Sequence, residues 1–157
     1  MRKWLSALVA LLAIILPFRP APAAMLSRVA VVLSHAQILT LDSSPVQLIP
    51  APGANRIINV VSVFYSYRFG TVPYFIAGTP AIATFYGNDT GLRTPQDFGY
   101  TNLTASASNN TSASAVGGGS QAISGVNQPL VAAVVSVDPT GGDGTLKVVV
   151  YYTVESP

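Results

Sequence analysis

From Arg28 onward the chain alternates short apolar runs with clusters of Gly, Pro, Asn and Ser, and it shows almost no helical periodicity. Runs of Val, Ile, Tyr, Phe and Thr bounded by turn formers predict strands and turns. The clearest strand is the last, Leu146 to Glu155. Leu146, Val148, Val150, Tyr152 and Val154 share one parity, and Lys147, Val149, Tyr151, Thr153 and Glu155 the other. Period two gives this strand one apolar and one mixed face. Leu130 to Val137 holds a single polar residue, Ser136. So continuous an apolar run predicts a strand covered on both faces. Between the two lies Asp138-Pro-Thr-Gly-Gly-Asp-Gly144, whose turn formers predict an antiparallel hairpin.

Arg56 to Phe69 is a longer β run. Ile57, Val61, Val63, Tyr65, Tyr67 and Phe69 share one parity, with Ser62, Ser66 and Arg68 on the other. At about 3.3 Å per residue it would span over ~40 Å, which predicts a bend or bulge. Shorter strands are predicted at Val29–Leu33, Ala36–Leu41, Val46–Ile49, Tyr74–Ala77, Ala81–Tyr86 and Ala122–Val126. Pro45, Pro50 and Pro52 make the early ones poor ladder donors. About eight to ten antiparallel strands at this spacing predict an all-β, jelly-roll-like β-sandwich. Turns are expected at Pro50, Pro52, Gly53, Asn127, Pro129, Pro139, Gly142, Asp143 and Gly144. Residues 101–119 are mostly Asn, Thr, Ser, Ala and Gly and carry no charge. They read as an exposed loop, or as a pair of weak Thr- and Ser-rich strands.

The first 24 residues stand apart and are expected outside the fold. Arg2 and Lys3 precede an unbroken apolar and small run, Leu5 to Leu16, and Ala21-Pro22-Ala23 offers a cleavage site. The run is shorter than the ~20 residues of a membrane span. It reads as a secretion signal, as a retained apolar arm or anchor, or as sequence upstream of a start at Met25. Residues 25–157 then form a single domain.

Composition narrows the chemistry. Of 157 residues only 9% are charged, and there is no Cys. No disulfide and no thiolate metal site can form. The net charge is +2, but three of the eight basic residues, Arg2, Lys3 and Arg19, lie in the leader. The remaining five face six acidic residues, so the body is near neutral and shows no basic cluster for nucleic acid. His35 is the one imidazole, and the carboxylates are Asp42, Asp89, Asp97, Asp138, Asp143 and Glu155. Asp42-Ser-Ser-Pro45 reads as a turn. Asp138 and Asp143 bracket a glycine turn and lack the ligand density of a calcium loop. No phosphate loop or nucleophile elbow is present. No catalytic residue, metal or cofactor is expected. Asn88, Asn102, Asn109 and Asn110 match the glycosylation acceptor pattern, which Asn- and Thr-rich segments produce by chance. Tyr65, Tyr67, Phe69, Tyr74, Phe75, Phe85 and Tyr86 are expected in the sandwich core, with a sugar-stacking or subunit-contact patch as the alternative.

Leu39-Thr-Leu-Asp-Ser-Ser-Pro-Val-Gln-Leu-Ile-Pro-Ala-Pro-Gly53 resembles the opening of small β-rich structural proteins of tailed bacteriophages and prophages. Asn127-Gln-Pro-Leu130 and Pro139-Thr-Gly-Gly-Asp-Gly-Thr-Leu-Lys-Val-Val-Val-Tyr-Tyr152 resemble their ending. The resemblance implies a non-catalytic virion component: a capsid decoration or head-fibre protein, or a tail-associated module. It also implies capsid or tail subunits as partners and a homo-oligomer, with a trimer as the expectation. The export-like leader departs from that pattern and supports a different expectation, a secreted or cell-surface module binding glycan or protein.

Overall fold

The computed structural model describes residues 25–78, 81–87, 93–114, 125–134 and 137–156. Ten strands and two one-turn helices are formed among them: β1 (Ser27–Leu33), α1 (His35–Ile38), β2 (Val46–Ile49), β3 (Ile57–Arg68), β4 (Tyr74–Phe75), β5 (Ala81–Tyr86), β6 (Arg93–Gly99), α2 (Tyr100–Leu103), β7 (Asn109–Ser114), β8 (Leu130–Val134), β9 (Thr140–Gly141) and β10 (Thr145–Glu155). One sheet has the order β1-β10-β3-β7 and a second β2-β8-β5-β6, while β4 and β9 make a separate two-stranded ribbon. Every pairing is antiparallel. The chain is therefore all-β and sandwich-like, and within the two large sheets only β5 and β6 are both consecutive and adjacent.

Period two decides what each sheet buries. In the first sheet Leu33, Val63, Tyr65, Tyr67, Leu146, Val148 and Val150 point inward. In the second, Leu48, Ile82, Tyr86, Phe98, Leu130, Ala132 and Val134 meet them in one cluster. Aromatic rings span the gap: Tyr65 of β3 lies 5.5 Å from Phe98 of β6, centroid to centroid. The Tyr86 hydroxyl of β5 donates across the core to the Ile58 carbonyl of β3 at 2.7 Å.

Strand β3 contains the irregularity expected of the Arg56–Phe69 run. Ser62 pairs with Tyr151 and Val60 with Tyr152, so Val61 is an extra residue. The bulge reverses parity, because one inserted residue turns every later side chain over. Ile58 and Val60 are buried before it and Val63, Tyr65 and Tyr67 after it. Val61, expected inward, is 41% exposed, and Ile57 is only half-buried.

Other parts of the chain also differ from the sequence expectations. Ala36–Leu41 is not a strand, because Ser34 and Gln37 form a capping box that starts α1. Leu130–Val137 and Leu146–Glu155 do not form a hairpin: β8 and β10 lie in different sheets, with β9 paired to β4 between them. Strand β6 was not signalled, since Pro95 and the charged Arg93 and Asp97 obscure it; it pairs only β5 and lies at a sheet edge. In the polar 101–119 segment, α2 and β7 form, while 115–119 lie outside the described residues. Gly125–Asn127 is a helical turn and bend, and the rest of the Ala122–Val126 strand expectation, like the 1–24 segment, falls outside the described residues. Strands β2 and β5 have the expected bounds. Strand β8 is buried throughout, as its composition predicted.

Candidate functional site

The nine turn residues separate into two groups at opposite ends of the sandwich. At the end where β3 begins and β10 finishes, Gly53 donates its N–H to Asn127 Oδ1 at 3.1 Å. Asn127, at φ 55°, donates its own N–H to the Arg56 carbonyl at 2.8 Å. The Pro129 carbonyl accepts from Gly87 at 2.7 Å. Pro50 is exposed and Pro52 half-buried beside this bend. At the other end Pro139, Gly142, Asp143 and Gly144 shape the β8–β10 crossing.

That second end carries a braced, protruding tip. The Asp143 carboxylate accepts the Thr71 N–H at 2.7 Å, the Thr71 hydroxyl at 2.6 Å and the Val72 N–H at 2.9 Å. The Val72 carbonyl accepts the Asp143 N–H in return at 3.3 Å. The Thr71 hydroxyl and then these N–H groups hold the Asp143 carboxyl below its ordinary range, because they bind the charged form. Tyr74 is buried and donates to the Gly144 carbonyl at 2.7 Å. Burial, with the Tyr67 hydroxyl and Asp143 nearby, raises its hydroxyl well above the ordinary value. Two glycines are required here. Gly142 has φ +76°, and a Cβ on it would run into the Tyr74 ring; a Cβ on Gly144 would meet the Arg68 carbonyl at 2.7 Å.

Alternation then forces the next side chain outward. Tyr74 points in, so Phe75 points out and is 67% exposed, with Val72 beside it at 51%. Thr140 hydroxyl donates to the Phe75 carbonyl at 3.3 Å. Phe75 thus departs from the core expectation that holds for Tyr65, Tyr67, Tyr74 and Tyr86; Phe85 is buried but outside the main core, and Phe69 is half-buried against it. The signal for the tip was present in the sequence as Val72-Pro-Tyr-Phe75, an apolar alternation pinned by a proline.

A depression lies on the outer face of the second sheet. Ala83 pairs with Ala133 and Phe85 with Val131. These four form their own buried cluster on the face away from the main core. Beside them is a cavity of about 250 Å³ lined by Asp42, Ser43, Pro45, Phe85, Val131 and Ala133, among others. Its rim is fixed by Asp138, whose carboxylate accepts the Asp42 and Ser43 N–H groups at 2.6 and 3.2 Å. Partial burial raises the Asp138 pKa, but bonds from the Ser43 side chain and from these N–H groups outweigh it and lower it overall. Asp138 and Asp143 are thus each committed to a different loop and do not converge.

The outer face of the first sheet is mixed, with Ser62 and Ser66 among apolar residues. Val32 is 59% exposed, and Phe64 and Val61 are each 41% exposed. Phe64 meets Tyr151 edge-on at 5.8 Å. Exposed Arg28 and Lys147 lie on the same face. His35 is an exposed residue at the start of α1. Among the described residues no three His, Asp or Glu side chains gather closely enough to share a metal ion, and no helix is long and apolar enough to cross a membrane. Of the glycosylation acceptors, Asn88 lies outside the described residues. Asn109 spends its amide N–H on the Asn102 carbonyl at 2.8 Å, and Asn110 is exposed.

A weak likeness to one solved structure is found. That structure is described as "Cyanophage Pam1 capsid asymmetric unit"; it is 17% identical with a TM-score of 0.42, over 88% of this chain and 91% of that one. No family model matches the chain, and no curated protein matches it.

Proposed function

We propose that this chain is a non-catalytic structural subunit of a phage particle, a capsid decoration, head-fibre or tail-associated protein that stabilises or decorates the particle. The observation that carries the reading is the exposure of Val32, Val61 and Phe64 on the outer side of the first sheet, on a body that holds few charges. Exposed large apolar side chains grouped on one sheet face support a protein–protein contact there, and permanent interfaces lose charge at their centres. The sequence resemblance at residues 39–53, 127–130 and 139–152 points the same way. So does the strand order β1-β10-β3-β7 over β2-β8-β5-β6, which we read as the two interlocked Greek keys of a jelly roll. That architecture recurs in viral capsid and lectin domains.

Peptide mass spectrometry of purified particles from the source of this sequence tests the reading. The chain should be recovered at a fixed ratio to the major coat protein, and as an oligomer when purified alone. Absence from particles together with a monomeric mass refutes it. The apolar Leu5–Leu16 run supports a second reading, an exported binding module. An intact mass beginning at Ala24 on native material would favour that reading, and a mass beginning at Met1 or Met25 would remove its support.

A further inference from the structure

We infer that two copies of this chain pair through the outer edge of β1, antiparallel about a two-fold axis at Ala30, so that their first sheets run on as one continuous sheet. The inference rests on the particle-subunit reading for the expectation that copies assemble, and names how they meet. β1 ends the first sheet, and among the described residues only β10 pairs with its backbone. An edge strand turns alternate N–H and C=O groups away from its partner, so β1 presents an unpaired row to an extended chain. The other three edges of the two large sheets are guarded. β2 is four residues long, has a register irregularity and lies between Pro45 and Pro50. β6 carries Pro95 with Arg93 and Asp97. β7 offers a partner no apolar side chain larger than that of Ala113. Short strands, prolines, charges and bulges are the devices that keep sheet edges from pairing. β1 has seven residues in unbroken register, no proline and one charge, Arg28.

The occupant that fits this edge is a second β1. An axis at Ala30 is the one register that pairs all seven residues of the strand. It sets Val29 against Val31 of the other copy, Arg28 against Val32 and Ser27 against Leu33. An axis at Arg28 would oppose that charge to itself, whereas the axis at Ala30 lays the Arg28 stem over Val32, which is 59% exposed. Val29 and Val31 pack against the core yet stay half-buried at the sheet edge, and a neighbouring strand covers that flank with a β-branched pair. The register serves the ladder whichever parity of β1 faces outward, with about six to eight backbone hydrogen bonds. Lys147 pairs with Val32 inside each copy. It therefore lies two strands from Arg28 of the other copy, about 10 Å away, which is about a Debye length at 0.1 M salt. The contact is isologous and closes at two copies. It leaves Val61 and Phe64 of β3 uncovered, so the surface that carries the particle reading stays open to other subunits.

The chain has no cysteine, so an engineered one reports the contact without background. Opposed Cα atoms of an antiparallel pair lie about 4.5–5.5 Å apart, within the span a disulfide bridges. Ala30 and Ala51 are both exposed, the first on β1 and the second in a loop. Full-length Ala30→Cys chains, mildly oxidised, should cross-link at least about tenfold faster than Ala51→Cys chains, because docking raises the effective concentration. Equal rates overturn the inference. Sedimentation supplies an independent test. Val32→Lys sets a lysine against Arg28 twice, by symmetry, and should weaken the dimer about tenfold. Arg28→Glu/Val32→Lys should restore the parent's dimerisation. Positions 28 and 32 of one copy are about 13 Å apart along the strand, so their side chains pair only across the axis. A monomeric parent, a Val32→Lys dimer as tight as the parent's, or a double variant as weak as the single one each overturns the inference. Particles that contain the chain without the Ala30→Cys cross-link remove this contact and leave the particle reading standing. A cross-linked dimer absent from particles does the reverse.

Discussion

Replacing Tyr86 with Phe removes one hydroxyl and keeps the packing. The ring is 1% exposed, and its hydroxyl donates at 2.7 Å to the Ile58 carbonyl, which belongs to the opposite sheet. The bond is a polar tie between the two sheets through a largely apolar core. Its loss, with a buried carbonyl left short of a partner, costs about 1–3 kcal/mol. Burial also pushes the hydroxyl from 10.0 to about 12, against a lowering by the Val60 backbone. The neutral form is the one the fold holds, so this contribution is whole below pH 10 and fades as pH rises through 12. A shift of about two pH units corresponds to a few kcal/mol, roughly 3, across that window. Urea unfolding followed by far-ultraviolet circular dichroism measures both effects. Tyr86→Phe should lower the midpoint at pH 7 without changing the slope m. It should also lose less stability than the parent between pH 9 and pH 11. Tyr67 and Tyr74 titrate in both proteins, so the difference isolates Tyr86. A variant within about 0.3 kcal/mol of the parent at pH 7, with the parent's alkaline slope, would refute the tie between sheets.

Phe85→Ala should destabilise by about 3–5 kcal/mol in the same assay, since it empties the buried outer cluster with Ala83, Val131 and Ala133. Gly142→Ala should lower the melting temperature clearly, because it combines a positive φ with a clash on the Tyr74 ring, whereas an ordinary surface substitution changes stability by no more than about 0.5 kcal/mol. The Asp143 carboxyl is held below its ordinary 3.8, so its contribution is present above that pH and is lost as pH falls through the lowered value. Asp143→Asn should therefore be less stable than the parent at pH 6 and show a shallower loss of stability between pH 5 and pH 2. The bulge makes a paired test: Val61→Ser should stay within about 0.5 kcal/mol of the parent, while Val63→Ser should cost about 2–4 kcal/mol. Equal costs would place the parity reversal elsewhere.

Strand existence was legible where period two is clean and turn formers flank the run. Strands β2 and β5 follow their apolar runs, and β8 is buried on both faces as its composition implies. The reading was weaker where local chemistry competes. At Ala36–Leu41 a four-residue capping box overrode an apolar run, because Ser34 and Gln37 satisfy helix N-terminal groups that a strand would leave to a neighbour. At Arg93–Gly99 pairing with β5 formed a strand that its own charges and Pro95 did not advertise. Of the candidate site, the turn residues were visible as glycine, proline and aspartate, but not the bonds they make.

The sequence by itself determined the class: alternating apolar residues, frequent turn formers and scarce charge admit a β-sandwich and no helical bundle. It also predicted a bend or bulge, since a run as long as Arg56–Phe69 does not stay regular against a twisted partner. Only the tertiary structure decided where that bulge falls, because one extra residue at Val61 is defined by its partners Tyr151 and Tyr152. Only the tertiary structure placed β8 and β10 in different sheets, since a glycine-rich connection permits a hairpin and a crossing alike. And only it separated Phe75 from the other aromatics, because burial depends on which layer covers a face, and the residue's own composition says nothing of that.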